Sequence, residues 1–565
     1  MKPSLATGPG ARFAALHAAL VALLLLASCS GGDIASFKWR SASGENLPFA
    51  QTGGFPEGKE NGFSGARPKN SYTLRKPLEA GRGSMVAVSV SSRREGLVIG
   101  LSLSSDPKKP GRERLFAAKE GRTRFYLSLP ETRTVKSLAL RLIQEGSGLD
   151  PKDEAVLAEL EAVSVLPAFR GYERIRKDEY RISDGISIER QNSGSSLWSL
   201  ERPFAGFGRE EGEAGASPGL PALTIRYAAP VDASIVVNAG RKIVARSASA
   251  GRKIVIPADV FPGAGLQASM TIAVPDAVEL EAAYIEILPS DQASAVDPGI
   301  LLLRPPLPEG EDFAWYRWDL LPDVLMFDFR TYAVQDAYLK RLAFFVEKKG
   351  FAGRLARDAE IASLHGWNAH DYKMDDVARF FTEAVKADFP LRAEELRLRD
   401  FLVEKRLLDK RGREYSGGKG AIISISQESE PYLRHTFLTH ESSHALFFAD
   451  GAYRDFCVSM WNGMTKEEKW FWLLYFGWMN YNTSSSYLMA NEMQAYLIQQ
   501  LPRKAGEYFT KTLVERLLEN HPELKEPLTI YMETFGAEFE RKAAILDGWL
   551  KKAYGFGAGT TFFLR

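Results

Sequence analysis

The spacing of apolar residues changes partway along the chain. Between about 43 and 290, apolar positions come in short runs, many at period two. Met85–Val90, Leu97–Leu103, Phe125–Leu129 and Leu138–Leu142 are examples. Turn-rich pieces such as Asp106–Gly111 separate them. Short strands at this spacing predict a sandwich or jelly roll. After 312 the period lengthens. Leu339, Leu342, Ala343, Val346 and Glu347 fit one helical face; Val377, Phe380, Phe381 and Val385 fit another. Helices are predicted to dominate to the end. Between the two regimes, Ser294–Asp312 carries Asp297-Pro298-Gly299 and Pro305-Pro306-Leu307-Pro308, which predict an extended, semi-rigid linker.

The strand-rich part reads as duplicated. Ser71–Leu78 echoes Leu197–Phe204, and Glu159–Pro167 echoes Glu279–Pro289. The fold expected is multidomain: two β-sandwich modules at 43–170 and 171–290, a linker at 291–312, and a mainly helical, α+β domain at 313–565. A single larger β domain is the alternative to two modules. The pattern of the modules resembles the galactose-binding-like jelly rolls attached to many secreted enzymes. That likeness rests on strand order and closing strands, not on binding residues.

The N-terminus reads as an address. Residues 1–12 hold Lys2 and Arg12 and no acid, and Ala14–Ala27 is almost wholly apolar. This is the form of a secretory signal, too short for a comfortable membrane span. It ends in Leu26-Ala27-Ser28-Cys29, which resembles a bacterial lipobox. The resemblance implies a signal peptide at 1–28 and lipid on the Cys29 thiol. Ser30-Gly31-Gly32 then begins a flexible tether, taken as 29–42. Ser30 after the cysteine favours the outer membrane under that family's sorting habit. The expected location is the bacterial cell envelope, on the extracytoplasmic side.

Composition narrows the chemistry. The 72 Lys+Arg and 71 Asp+Glu nearly cancel. A basic nucleic-acid footprint is missing. Loss of 1–28 leaves a net charge of −1, so membrane attachment would depend on acyl chains. Two cysteines in 565 residues exclude a disulfide scaffold and a Cys-rich zinc module. With Cys29 lipidated, Cys457 stands alone and reads as a core thiol.

The informative motif is His440-Glu441-Ser442-Ser443-His444. Two histidines four apart share one helix face. Both imidazoles can then bind one zinc ion at about 2.0–2.1 Å. Glutamate beside the first histidine can take a proton from water on the metal. Ser429 is the expected N-cap, and Pro431 suits the first turn. Ala421–Ser426 reads as a strand just upstream, after the Gly417-Gly418-Lys419-Gly420 turn. A strand followed by such a helix resembles the zincin metallopeptidase core, in which an edge strand pairs with extended substrate.

Catalytic zinc needs a third protein ligand. Asp450, six residues after His444, stands where metzincin-like sequences place theirs. Those families need glycine at the position of Phe447, so the stronger candidate is Glu492. Ser486–Leu497 reads as a helix carrying Asn491-Glu492, which resembles the gluzincin clan. The resemblance covers residues 415–505 and implies zinc on His440, His444 and Glu492, with Glu441 as base. At Tyr496 the chain departs from thermolysin-like enzymes, which have an acid there, so the group that orients the ligand histidine is unassigned. Tyr481, Tyr487, Tyr496 and His435 are candidate oxyanion donors. Gly366–Tyr372 is either a cleft wall or a helix-start turn capped by Asn368 or Asp371. The aromatic block Trp470–Trp478 is a core helix or a pocket wall.

The function expected is a lipid-anchored zinc metallopeptidase acting on a protein or peptide, glycosylated substrates included, with no nucleic-acid partner. The alternative is a surface binding or adhesion lipoprotein with a non-catalytic zinc site.

Overall fold

Period-two segments become strands, and the structure, a computed structural model, describes them within Gly62–Phe63 and most of Lys69–Arg565. The stretches left out include 1–61, 64–68, 145–156 and 205–219. The expected signal (1–28), Cys29 and the tether (29–42) lie outside the described residues. Among the described residues no helix is long and apolar enough to cross a membrane. The chain divides into two compact units. One comprises Met1–Ile188, Ser199–Gly206 and Glu281–Glu286; the other comprises Glu189–Trp198, Phe207–Leu280 and Ile287–Arg565. Open β-sheets fill the N-terminal region, and helices dominate the C-terminal part.

In the first unit, Met85–Ser92 pairs antiparallel with Gly121–Ser128 and Ala158–Leu166. Leu97–Ser104 lies between Glu113–Ala118 and Arg133–Gln144, antiparallel to both. Val86, Val88, Ile99, Leu101 and Leu140 are buried. In the second unit, Ser234–Asn238 lies between Lys242–Arg246 and Met270–Pro275, again antiparallel to both. A central strand, its hairpin partner and a later strand thus recur in the same order.

The second unit also holds the C-terminal sheet. Its strands are β1 (Ala295–Val296), β2 (Phe313–Trp318), β3 (Val324–Phe329), β4 (Ala369–Lys373) and β5 (Ala421–Ser426). Their order is β1-β2-β3-β5-β4. β3 and β5 are parallel, and β4 runs antiparallel to β5. Among the described residues nothing pairs with the other side of β4. The strand before the histidine motif is therefore central, with all six residues buried. The edge belongs to β4, which overlaps the segment Gly366–Tyr372 whose alternatives were a cleft wall or a capped turn.

Helix α1 (Ile300–Leu303) precedes the change of period, and α2 (Tyr332–Glu347), α3 (Met374–Lys386) and α4 (Ala393–Glu404) follow it. Leu325, Phe327 and Phe329 of β3 pack with Leu339 and Phe345 of α2, Phe380 and Phe381 of α3, and Leu402 of α4. Ile422 of β5 and Tyr372 of β4, which are register partners, join this core. Strand side chains alternate, so the neighbouring pair Ile423 and Asp371 points to the other face of the sheet.

The 291–312 stretch departs from the extended linker expected of its prolines, because β1 and α1 lie within it. Asp297 is fully buried. It accepts backbone N–H bonds from Gly299 at 3.0 Å and from Phe563 and Leu564 at 2.9 Å each. Arg252 donates to it at 3.1 Å. A buried carboxylate must be paired, and these donors fold the stretch around it. The chain end joins the strand Lys242–Arg246, with Val244 and Arg565 exchanging backbone hydrogen bonds at 2.7 and 3.0 Å.

Candidate functional site

The histidine motif lies in helix α5 (Pro431–Ala449). Glu430 is the N-cap residue and makes no side-chain cap bond. Ser429, the expected cap, is buried and bonded to the Tyr332 hydroxyl at 2.6 Å. Pro431 takes the first helical position, where its missing N–H costs nothing. What holds this end is a buried ion pair. Arg434 Nη1 donates to Asp328 Oδ1 of β3 at 2.9 Å, and Arg434 also donates to the Leu301 carbonyl. Gln427 donates to the other Asp328 oxygen at 2.7 Å. α5 is thus tied to the central sheet ahead of the motif.

His440 and His444 come together as the four-residue spacing requires. Their Nε2 atoms are 3.1 Å apart. Helix α8 (Ser486–Ile498), capped by Ser485 at the Leu488 N–H, brings in Glu492. Its Oε2 lies 3.9 Å from each of the two Nε2 atoms. Tetrahedral ligands at zinc-bond lengths stand about 3.3 Å apart, so small side-chain adjustments would satisfy all three. Asp450 is elsewhere. It ends α5 and caps α6 (Gly451–Asn462), accepting from Ala452 and Tyr453 N–H at 2.8 and 3.1 Å. The Tyr554 hydroxyl also donates to it.

Gln499, just past α8, is the hydrogen-bond partner of His440. His440 Nδ1–H donates to Gln499 Oε1 at 3.1 Å, which directs the Nε2 lone pair toward His444 and Glu492. Glu492, Tyr496 and Gln499 are spaced i, i+4 and i+7 on one helix face. This partner therefore sits one turn beyond the position where an acid was sought. That spacing was its available signal.

Asp371 was expected as a cap or cleft residue. It caps no helix; it lies on β4 and lines the site, with Oδ1 3.8 Å from His444 Nε2 and Glu441 beside it. Glu347, also buried, belongs to this cluster and pairs with Lys348 at 2.8 Å. Lys348 Nζ stands 4.3 Å over the Tyr481 ring. Sequence reading missed Glu347 and Lys348 as site residues, because the C-terminal end of α2 carries no motif.

Burial and mutual charge shift Asp371, His440, Glu441, His444 and Glu492. Burial pushes the Glu492 carboxyl up to about 8, with help from Asp371 and Glu347. Burial, then Asp371 and Glu492, hold Glu441 well above the usual carboxylate range. Asp371 is raised chiefly by burial. Burial and the facing His444 push His440 well below its ordinary value. Burial would lower His444 too, yet Asp371 and Glu492 hold it above normal. Glu441 Oε2, Glu492 Oε2 and His444 Nδ1 are buried without a hydrogen-bond partner. Glu441, His440, His444 and Asp371 enclose a space of about 20 Å3. That is room for one ion or water. Orphaned carboxylate oxygens facing two imidazoles fit a divalent cation with N/O ligands.

A larger cavity of about 510 Å3 opens against His440 and Glu441. Tyr475 and Trp478 of α7 (Lys466–Trp478) line it with Tyr481 and Tyr496. Phe471 and Trp472, on the same helix, are buried against Phe509 and Phe539. The aromatic block is therefore both core and wall. Of the candidate oxyanion donors, Tyr481 and Tyr496 line this cavity. His435 packs on Phe562 instead, and Tyr487 packs on Phe447. Cys457 is fully buried, and burial raises its thiol.

No family model and no curated protein matches the chain. Among solved structures, the glycoside hydrolase domain of Endo-D from Streptococcus pneumoniae R6 aligns over 34% of this chain and 31% of its own, at 9% identity and a TM-score of 0.14. Vicilin from hazelnut, Corylus avellana, aligns over 39% and 75%, at 9% identity and a TM-score of 0.11. The chain thus covers under a third of the first of these. Likeness at this level carries no argument about fold or function.

Proposed function

We propose that this chain is a zinc metallopeptidase of the gluzincin type. The observation that carries the reading is the convergence of His440, His444 and Glu492 donor atoms, with Glu441 beside them and a cavity in front. The edge strand β4, the helix α5 and the Asn-Glu pair on α8 are the parts a zincin core requires.

In this reading His440, His444 and Glu492 hold the ion. Bound zinc supplies a Lewis acid and lowers the pKa of water to about 7. Glu441 accepts the proton of the attacking water at its carboxylate and passes it to the leaving amine. Gln499 fixes the tautomer and ring angle of His440. Tyr481 or Tyr496 donates to the developing oxyanion. β4, the last strand of its sheet, is where an extended peptide would pair, which is β-augmentation.

The β modules are read as galactose-binding-like jelly rolls that carry the catalytic domain away from the membrane, with Cys29 as the lipid anchor in the bacterial envelope. A second reading, a binding lipoprotein with a non-catalytic zinc site, is favoured by one feature. Asp371 offers a fourth protein donor near His444, and a fourth ligand closes a zinc site.

Metal analysis followed by a broad peptide-library digest separates the two. One zinc per chain with chelator-sensitive cleavage supports the peptidase. One zinc per chain with no turnover supports the second reading.

A further inference from the structure

The face of β4 that meets the metal site continues to a second cavity. Ala369, Asp371 and Lys373 share that face because strand side chains alternate. Ala369 lines the cavity at His440 and Glu441. Asp371 faces His444. Lys373 lines a separate cavity of about 750 Å3, with the Gly417–Gly420 turn, Arg454 and Tyr487 among its walls.

The charge there is lopsided. Lys373, Lys419 and Arg454 face a single carboxylate, Asp375. Asp375 pairs with Lys373 at 2.5 Å. Arg454 donates to the carbonyls of Phe447 and Phe448 at 3.4 and 3.1 Å and has no ion pair among the described residues. Lys419 has no ion pair among the described residues. Two net positive charges in one concavity attract an anion.

The turn is built to stay thin. A Cβ on Gly417 would come 2.4 Å from the Met374 carbonyl, and one on Gly420 would come 2.4 Å from that of Asp323. Close backbone approach is what demands glycine here, and it holds Lys419 at the rim.

We propose that this cavity is a subsite for an acidic side chain of a peptide laid along β4. The proposal rests on the metallopeptidase reading and adds a selectivity to it. Lys373 is two residues from Asp371, or about 6.8 Å along the strand. The acidic residue recognised is therefore about two positions from the peptide unit opposite Asp371. The cavity at the other end is walled by tyrosines and Trp478, so the two ends select different side chains.

The test uses the full chain carrying Glu441→Gln, so that bound peptides stay intact. Fluorescent peptides that differ only by Glu or Gln at successive positions are titrated at low and high salt. The Glu peptide should bind about tenfold tighter at one position, and salt should erase the difference. Lys419→Gln and Lys373→Gln should each remove most of that preference without weakening the Gln peptide. Lys419→Glu should transfer the preference to a Lys peptide. Equal binding of Glu and Gln peptides at every position overturns the subsite, as does a preference that both lysine variants retain. If the preference holds while the unsubstituted chain, loaded with zinc, cleaves none of these peptides, the subsite stands and the peptidase reading falls.

Discussion

Gln499 Oε1 accepts the Nδ1–H of His440 at 3.1 Å, although 59 residues separate the two in the chain. This contact decides which ring nitrogen of His440 faces Glu492. Loss of such an orienting partner typically lowers metal affinity 10–100-fold. Gln499→Ala should therefore weaken zinc binding by that factor and leave the unfolding midpoint of the metal-free chain almost unchanged. Competition against a chromophoric chelator reads the first quantity, and urea titration reads the second.

The third ligand makes a paired prediction. Glu492→Ala should lower zinc affinity at least 100-fold, because only the two histidines and Asp371 remain near the ion. Asp450→Ala should keep zinc. It should instead lose about 1 kcal/mol of stability, since Asp450 caps α6. Elemental analysis of both purified variants checks this, and zinc loss confined to Asp450→Ala would reverse the assignment.

What the sequence made legible follows from distance along the chain. His440, Glu441 and His444 lie within one helix, so a single periodicity places them. Glu492 needed a second helix of recognisable pattern. Asp371 was visible only as part of a polar cluster, because nothing local tells a strand residue facing a metal site from a turn cap. Glu347 ends α2, Lys348 follows it, and both meet the site only through the fold. The 291–312 stretch was misread for a similar reason. Its prolines suggested an extended backbone, whereas the partners that fold it, Arg252 and the N–H groups of Phe563 and Leu564, are distant in sequence.

The Arg434–Asp328 pair is the main tie between α5 and β3. Removing one member of a buried pair leaves the other charge uncompensated, at a cost of about 3–5 kcal/mol. Arg434→Met should lower stability by that order in chemical denaturation. Adding Asp328→Asn in the same chain should recover part of the loss. No recovery would show that the pair is not coupled as described.

A pH dependence is expected outside the histidine cluster. Burial raises the Asp319 carboxyl to about 7, Arg252 opposes the shift, and Asp297 adds to it. The fold thus favours the protonated acid. This contribution is complete below the ordinary value near 3.8 and is lost as pH rises through about 7. The limiting slope for one proton is about 1.4 kcal/mol per pH unit. Asp319→Asn should flatten the decline in stability between pH 5 and 8, measured by urea midpoints at each pH. An identical pH profile in the variant would remove Asp319 as the cause.

The central claim is that Glu441 moves the proton at a site whose zinc is held by other residues. The most direct measurement compares the unsubstituted chain with Glu441→Gln for zinc content and peptide cleavage in the same preparations. The account predicts one zinc per chain in both, and cleavage reduced at least 100-fold in Glu441→Gln. Cleavage at the unsubstituted rate, with zinc still bound, would contradict it.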